Sequence, residues 1–172
     1  LTDELFELAT IEAGAIDLKP ESQMLRPLVA EILADFEAVA DRDTIDLRME
    51  VADELSCVCD RRGLYRVVSN LVDNAIKYNR PGGWVEVSGS VSDTGVALVV
   101  EDSGVGIPAE ELGAVMQRFY RIDQARTPGQ GGLGLGLAIV KHMVLQMGGK
   151  LVLDSREGVG TVATLSLPPA KV

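Results

Sequence analysis

Aromatic side chains are scarce. Trp, Tyr and Phe together make up 4% of the 172 residues, so a core must be built mainly from Leu, Val, Ala and Ile. Cysteine is nearly absent as well: Cys57 and Cys59 are the only two, and no nearby His completes a zinc site around them. At i and i+2 on a strand they share one face and read as buried thiols in a reducing compartment. No apolar run approaches the ~20 residues needed to cross a bilayer, and no signal peptide is visible. Positive charge is also short. The formal net charge of −10 argues against a general binder of nucleic acid or anionic membranes, and a polyanion would require a local concentration of cations. The chain opens on Leu1 rather than Met, so a piece of a longer protein is expected.

Hydrophobic residues, by contrast, reach 47%, which excludes intrinsic disorder and suits one domain, or one domain plus a fragment of another. A helix is predicted over 2–13, with Leu5 and Leu8 on one side and Gly14 ending it; the stretch through Lys19-Pro20-Glu21 reads as a connector. A second helix is predicted over 26–40, burying Leu28, Ile32, Leu33 and Phe36. Short strands near 45–51 and 55–59 precede the clearest helix, 61–79, whose Leu64, Val67, Val68, Leu71 and Ala75 form a narrow apolar stripe. A hairpin over 84–92 and 95–101, a short helix near 109–116, a helix near 135–147 and strands 150–155 and 161–167 complete the pattern. Hairpin-connected strand pairs with helices between them point to an α/β (α+β) two-layer sandwich. Its sheet would be mixed and mostly antiparallel, covered on one face by helices, rather than a parallel dinucleotide-binding sheet.

Half of the 18 glycines fall in three clusters: Gly104 and Gly106; Gly129, Gly131, Gly132, Gly134 and Gly136; Gly158 and Gly160. The middle cluster runs through Leu133 and Leu135 into a helix that is apolar nearly all round, with Leu137, Ile139, Val140, Met143 and Val144. Glycines leading into such a buried N-terminus make an anion cradle. A P-loop is excluded because no Gly-Lys-Ser/Thr follows. Gly104-x-Gly106-x-x-Ala109 imitates a dinucleotide fingerprint, but Pro108, Glu110 and Glu111 put negative charge where pyrophosphate should sit. Asp102 stands at the end of an apolar strand, where a carboxylate can accept a hydrogen bond from an exocyclic amine; a simple turn-forming Asp is the plainer reading. Asn70, Asn74 and Lys77 lie within about 60° on one helix. A carboxamide oxygen there can ligate Mg2+ and the lysine can neutralise phosphate, with a solvated polar face as the alternative. Arg118, Arg121 and Arg126 supply local cations. His142, the only histidine, reads as a surface residue.

These motifs together resemble the catalytic ATP-binding domain of two-component sensor histidine kinases, within the gyrase-like ATPase superfamily. Asp60-Arg61-x-x-Leu64 followed by Asn70-x-x-x-Asn74-x-x-Lys77-Tyr78 resembles the family's N box. Asp102-x-Gly104-x-Gly106-Ile107-Pro108 is similar to its first glycine box, Arg118-Phe119-Tyr120-Arg121 to its aromatic box and Gly132-x-Gly134-Leu135-Gly136 to its second glycine box. Gly158-x-Gly160-Thr161 is similar to a third. The likeness spans about residues 25–168, and Leu5 to Gly14 resembles the end of a dimerisation helix.

The resemblance implies a Bergerat-type fold, with 1–24 the end of the dimerisation/phosphoacceptor helix plus linker and 25–172 the ATP-binding domain. ATP would lie between the 61–79 helix and a lid near 113–133. Asn74 would hold Mg2+, Asn70 and Lys77 would lie near the phosphates, and Asp102 would bind the adenine amine with Tyr78 near the base. Ile107, Phe119, Gly132, Leu133, Gly134, Leu135, Gly136 and Thr161 would line the pocket, and Arg121 or Arg126 would reach the γ-phosphate. The reaction implied is γ-phosphoryl transfer to a histidine, then relay to a response regulator. The parent would be a homodimer whose cytoplasmic portion this is, belonging to a membrane-anchored sensor. Two departures stand out. The phosphoacceptor histidine is missing, so this chain alone is not expected to autophosphorylate, and Leu133 replaces the usual Ser or Thr. A non-catalytic ATP-sensing module, an ATPase clamp and an anti-sigma-factor kinase are the competing readings.

Overall fold

The computed structural model describes residues 17–122 and 134–168. Its elements in chain order are β1 (Pro20–Met24), α1 (Leu25–Arg42), β2 (Asp46–Val51), β3 (Ser56–Asp60), α2 (Arg61–Lys77), β4 (Trp84–Ser92), β5 (Gly95–Asp102), α3 (Gly136–Gln146), β6 (Lys150–Arg156) and β7 (Gly160–Leu167). Five strands form the main sheet in the order β2-β4-β5-β7-β6, and β1 pairs with β3 in a separate two-stranded sheet. Among the described residues only β2 and β4 run parallel; the other pairs are antiparallel. The sheet is thus mixed and the helices cover one face, as the sequence pattern suggested.

Period-two alternation explains the layering. Val87, Val100, Ala163 and Leu153 lie in one cross-strand row, and Leu98, Leu165 and Leu151 in another. Val87, Leu98, Val100, Ala163 and Leu165 are buried beneath the helices, while Leu151 and Leu153, on the edge strand, are partly buried. Helix α2 contributes the predicted stripe, with Leu64, Val67 and Val68 fully buried and Leu71 and Ala75 nearly so. Helix α3 buries Ala138, Ile139, Val140, Met143 and Val144, although Leu145 on its far side is exposed. Cys57 and Cys59 are buried in the same core, their sulfurs 3.6 Å apart.

Three expectations need correction. The 19–21 connector is in part a strand, β1, a polar segment whose pairing is dictated by the edge of β3 rather than by its own pattern. The strands near 45–51 and 55–59 do not pair with each other: β2 joins β4, and β3 joins β1. A parallel β2–β4 pair needs a crossover, and β3 with α2 supply it. Finally, 109–116 forms successive turns instead of a helix. Val115 N–H reaches the Glu111 carbonyl at 3.0 Å, but the neighbouring bonds from Glu111, Ala114 and Gln117 span three residues. Only Val115 is buried there, so no apolar face draws the segment into a helix. The helix expected over 2–13 lies outside the described residues.

Asp60 ends β3 and caps α2. Its Oδ1 accepts from Gly63 N–H at 2.6 Å and its Oδ2 from Lys19 N–H at 2.9 Å. Losing an N-cap acceptor costs about 1 kcal/mol. Urea denaturation of Asp60→Ala is expected to show a loss of that size, whereas Asp60→Asn, which keeps an acceptor oxygen, loses clearly less.

Candidate nucleotide-binding site

The inward row of β5 runs Val96, Leu98, Val100 and then Asp102. Alternation therefore delivers a carboxylate to the helix-covered face, at the point where the sheet ends. Its Oδ1 accepts from Gly104 N–H at 2.8 Å and from Thr161 N–H at 3.3 Å. Burial raises the Asp102 pKa, the two backbone N–H groups lower it, and Glu101 beside it raises it again; the net direction is upward.

The chain closes tightly around this group. A Cβ on Gly160 would stand 1.9 Å from the Asp102 carbonyl oxygen, and one on Gly104 would stand 2.5 Å from that of Tyr78. One on Gly106 would meet the Arg156 carbonyl oxygen at 2.0 Å. Val105 N–H donates to the Tyr78 carbonyl at 3.0 Å, and Gly158 N–H to the Val105 carbonyl at 2.7 Å. The end of α2, the 102–107 loop and the β6–β7 turn are thus bound into one unit. Asn79 and Ser103 tighten it: Asn79 Nδ2 donates to the Trp84 carbonyl at 3.0 Å, and Ser103 Oγ accepts from Trp84 N–H at 2.8 Å.

Helix α2 carries the polar row away from Asp102. Tyr78 and Lys77 are exposed at its C-terminal end, and the Lys77 ammonium lies 5.5 Å from the Tyr78 ring centroid. Asn74 is half-buried, and its side chain makes no hydrogen bond to a described residue. Asn70 lies about 12 Å from Tyr78 along the axis. Its Nδ2 donates to the Arg66 carbonyl at 3.0 Å, and its Oδ1 is 3.5 Å from the position of a Cβ on Gly136. Asn70 therefore meets the start of α3. That start is preceded by the buried Leu135, which offers no side-chain cap, and its first N–H groups have no hydrogen-bond acceptor among the described residues, an arrangement that suits an anion.

Phe119 and Gly134 bracket the segment between the aromatic and second glycine motifs. Phe119 N–H donates to the Gly134 carbonyl at 3.1 Å, and both residues have positive φ, +60° and +74°. A bulky residue in that region is strained, which marks the spot as over-determined by its surroundings. Phe119 is exposed, and Arg121 is half-exposed. Arg126, Gly132 and Leu133, with much of the expected lid, lie outside the described residues. His142 is half-buried, its Nδ1 2.9 Å from the Ala138 carbonyl oxygen within its own helix.

A broader cleft of about 1150 Å³ follows the other flank of α2, past Arg61, Tyr65, Arg66 and Ser69, and meets the site only at Asn70. Volume alone would favour that cleft. The desolvated carboxylate, the glycine approaches and the open helix start all favour the Asp102 side. Sequence reasoning missed Asn79, Ser103 and Ser155. The last was detectable, because it stands where the inward alternation Leu151, Leu153 turns polar.

A carboxylate at the end of the central strand of a mixed sheet, with a polar helix row leading from it to an uncapped helix start, suits an ATP-binding two-layer sandwich rather than a parallel dinucleotide-binding sheet. The chain belongs to the histidine kinase-, DNA gyrase B- and HSP90-like ATPase family, whose model matches residues 59–171. It is 35% identical over 98% of its length to the sensor histidine kinase WalK of Bacillus subtilis, and 35% identical over 96% to the sensor-like histidine kinase SenX3 of Mycobacterium tuberculosis. It spans 28% and 40% of those two proteins' lengths. Among solved structures, a mycobacterial sensor histidine kinase, MprB, matches with 34% identity and a TM-score of 0.74 over 90% of this chain and 100% of that one. Full-length ShkA in complex with AMPPNP shares the fold, with a TM-score of 0.88 at 24% identity over 99% of this chain and 35% of that one. The counterpart of the chain in these relatives is the catalytic ATP-binding domain.

Because burial raises the Asp102 pKa above its ordinary 3.8, the native state holds that proton more tightly than the unfolded chain does. Ionisation then costs stability, fully above the folded pKa and not at all below about 3.8. Asp102→Asn keeps an acceptor for Gly104 and Thr161 but carries no charge. Its melting temperature is expected to equal or exceed that of the wild type at pH 7, with the advantage shrinking as the pH is lowered; a variant less stable at pH 7 contradicts this.

Proposed function

We propose that the chain binds Mg-ATP between α2 and the start of α3 and serves as the catalytic part of a sensor histidine kinase. In this reading it passes the γ-phosphoryl group to a histidine on a dimerisation helix beyond residues 25–172, for relay to a response regulator. The observation that carries it is the Asp102 carboxylate, turned inward at the sheet's end and held by two backbone N–H groups. A fixed acceptor of this kind recognises the exocyclic amine of adenine and rejects a purine with a carbonyl there. The names of the relatives favour a kinase over a non-catalytic ATP-sensing module.

Each residue then has a defined task. Asp102 and Thr161 read the base, Tyr78 and Ile107 flank it, and Gly104 and Gly106 let the backbone approach it. Asn70, Lys77 and the N–H groups at Gly136 lie toward the triphosphate, with Arg121, Arg126, Phe119, Gly132, Leu133, Gly134 and Leu135 on the lid side. Asn74 would hold Mg2+: its carboxamide is partly buried and has no hydrogen bond to a described residue, so its oxygen is available to a hard cation. Mg2+ characteristically keeps several waters and shares its ligation with substrate phosphates, so one protein ligand suffices. Bound there, the ion would supply charge neutralisation across the phosphates.

In the transfer, the bond from the γ-phosphorus to the bridging oxygen breaks, its electron pair leaving with ADP. A ring nitrogen of the acceptor histidine forms the new N–P bond, and the imidazole loses a proton. The domain contributes positioning and electrostatics rather than covalent chemistry. His142, tied to its own helix backbone, is not the acceptor, so the chain by itself does not autophosphorylate. In this reading the parent is a homodimer, the domain works on the cytoplasmic side, and the domain begins no later than β1, which pairs with β3.

Calorimetric titration with ATP, with and without Mg2+, tests this. Wild type is expected to bind saturably. Asp102→Asn should weaken binding at least tenfold, about the worth of one charge-assisted hydrogen bond, and Asn74→Ala should abolish most of the gain from Mg2+. Failure of the folded wild type to bind ATP would sink the reading.

A further inference from the structure

The inward face of the sheet has a polar end. Across β5, β7 and β6 the apolar rows Leu98–Leu165–Leu151 and Val100–Ala163–Leu153 are followed by Asp102–Thr161–Ser155. Ser155 is two strands away from the carboxylate, on the edge strand, and yet it is bonded to both segments that frame it. Ile107 N–H donates to Ser155 Oγ at 2.8 Å, Ser155 Oγ–H donates to the Gly160 carbonyl at 2.9 Å, and Thr161 Oγ1 lies 2.8 Å from Ser155 Oγ. A hydroxyl has one proton to give and two lone pairs to accept with. With Thr161 as the donor in the third bond, all of that capacity is used.

We propose that Ser155 is a positioning residue that sets the base selectivity of the pocket; the proposal rests on the ATP-binding reading above. Its three bonds join the two sides of the adenine-recognising unit. Through Gly160 and Thr161 it fixes the start of β7, whose Thr161 N–H holds Asp102 Oδ1. Through Ile107 it fixes the loop that begins at Asp102 and contains Gly104, the other donor to that oxygen. Asp102 is thus clamped by two N–H groups carried on two segments, and Ser155 is the side chain that ties those segments together. Without the hydroxyl, Ile107 N–H and Thr161 Oγ1 lose this partner, the far end of the loop is left to the single Gly158-to-Val105 bond, and the carboxylate's aim loosens. Discrimination depends on that aim, because a correctly placed acceptor separates an amine from a carbonyl far better than a mobile one does.

The test compares Ser155→Thr with Ser155→Val, two branched side chains of one shape that suit a strand and differ in the hydroxyl, beside Ser155→Ala. ATP and GTP affinities are measured by calorimetry, and melting temperatures by circular dichroism. Wild type is expected to prefer ATP, which tests the underlying reading before any substitution is considered; a folded wild type without ATP binding overturns that reading and this proposal together. With ATP binding established, Ser155→Val and Ser155→Ala should lower the ATP-over-GTP ratio about tenfold, as expected for the loss of a framed hydrogen bond, while Ser155→Thr stays within about threefold of wild type. A ratio unchanged in the hydroxyl-free variants, whatever happens to their melting temperatures, overturns the proposal and leaves Ser155 a purely structural residue. Failure of both hydroxyl-free variants to fold overturns it in the same way.

Discussion

The site depends on a close approach of backbone to backbone at the end of β5. Gly160 lies over the Asp102 carbonyl and Gly104 lies against the Tyr78 carbonyl, at separations that admit no Cβ. These contacts seat the first turn of β7 and the last turn of α2 against one strand end. The carboxylate therefore has its two N–H donors in place before any ligand arrives. Remove the approach, and Asp102 becomes one more surface carboxylate. The glycines are costly in conformational entropy, and the cost is justified by what their missing side chains allow.

The two helices bordering the site begin differently, and the difference suits the proposed nucleotide site. Helix α2 is capped by Asp60 and buries its apolar stripe, so it is a fixed wall. Helix α3 begins without a side-chain cap, although it packs just as firmly through Ile139, Val140 and Val144. An uncapped start on a rigid helix keeps a positive dipole end open without making it mobile. Stability and recognition pull in opposite directions here. A partly desolvated carboxylate, an uncapped helix and a strained Phe119 each weaken the fold locally, and the leucine and valine rows beneath them compensate.

Much of this was legible in the sequence for identifiable reasons. Helix α2 showed itself through a stripe of strict helical period, and the 84–102 hairpin through alternation and an Asp93-Thr94-Gly95 turn. Asp102, Gly104 and Gly136 were legible because glycine clusters at element boundaries are expensive and need a reason. The errors have equally physical causes. β1 lacks a pattern of its own and is a strand only because β3 offers an edge. The 109–116 stretch has helical residues but almost nothing to bury. Ser155 continues the inward alternation of Leu151 and Leu153, but a serine there is weighty only once its partners are known.

By itself the sequence determined which faces are apolar, where the chain must turn and which polar residues share a helix face, since these follow from periodicity and from the conformational limits of glycine and proline. Tertiary structure alone decided strand order, the parallel β2–β4 pairing and the convergence of Asn70 with Gly136, and of Asp102 with Thr161 and Ser155. Residues 59 and 53 positions apart in the chain become neighbours only when β7 and β6 add to β5. No local pattern encodes that register; it is fixed by burying every apolar row at once, and the polar row comes into line as a consequence.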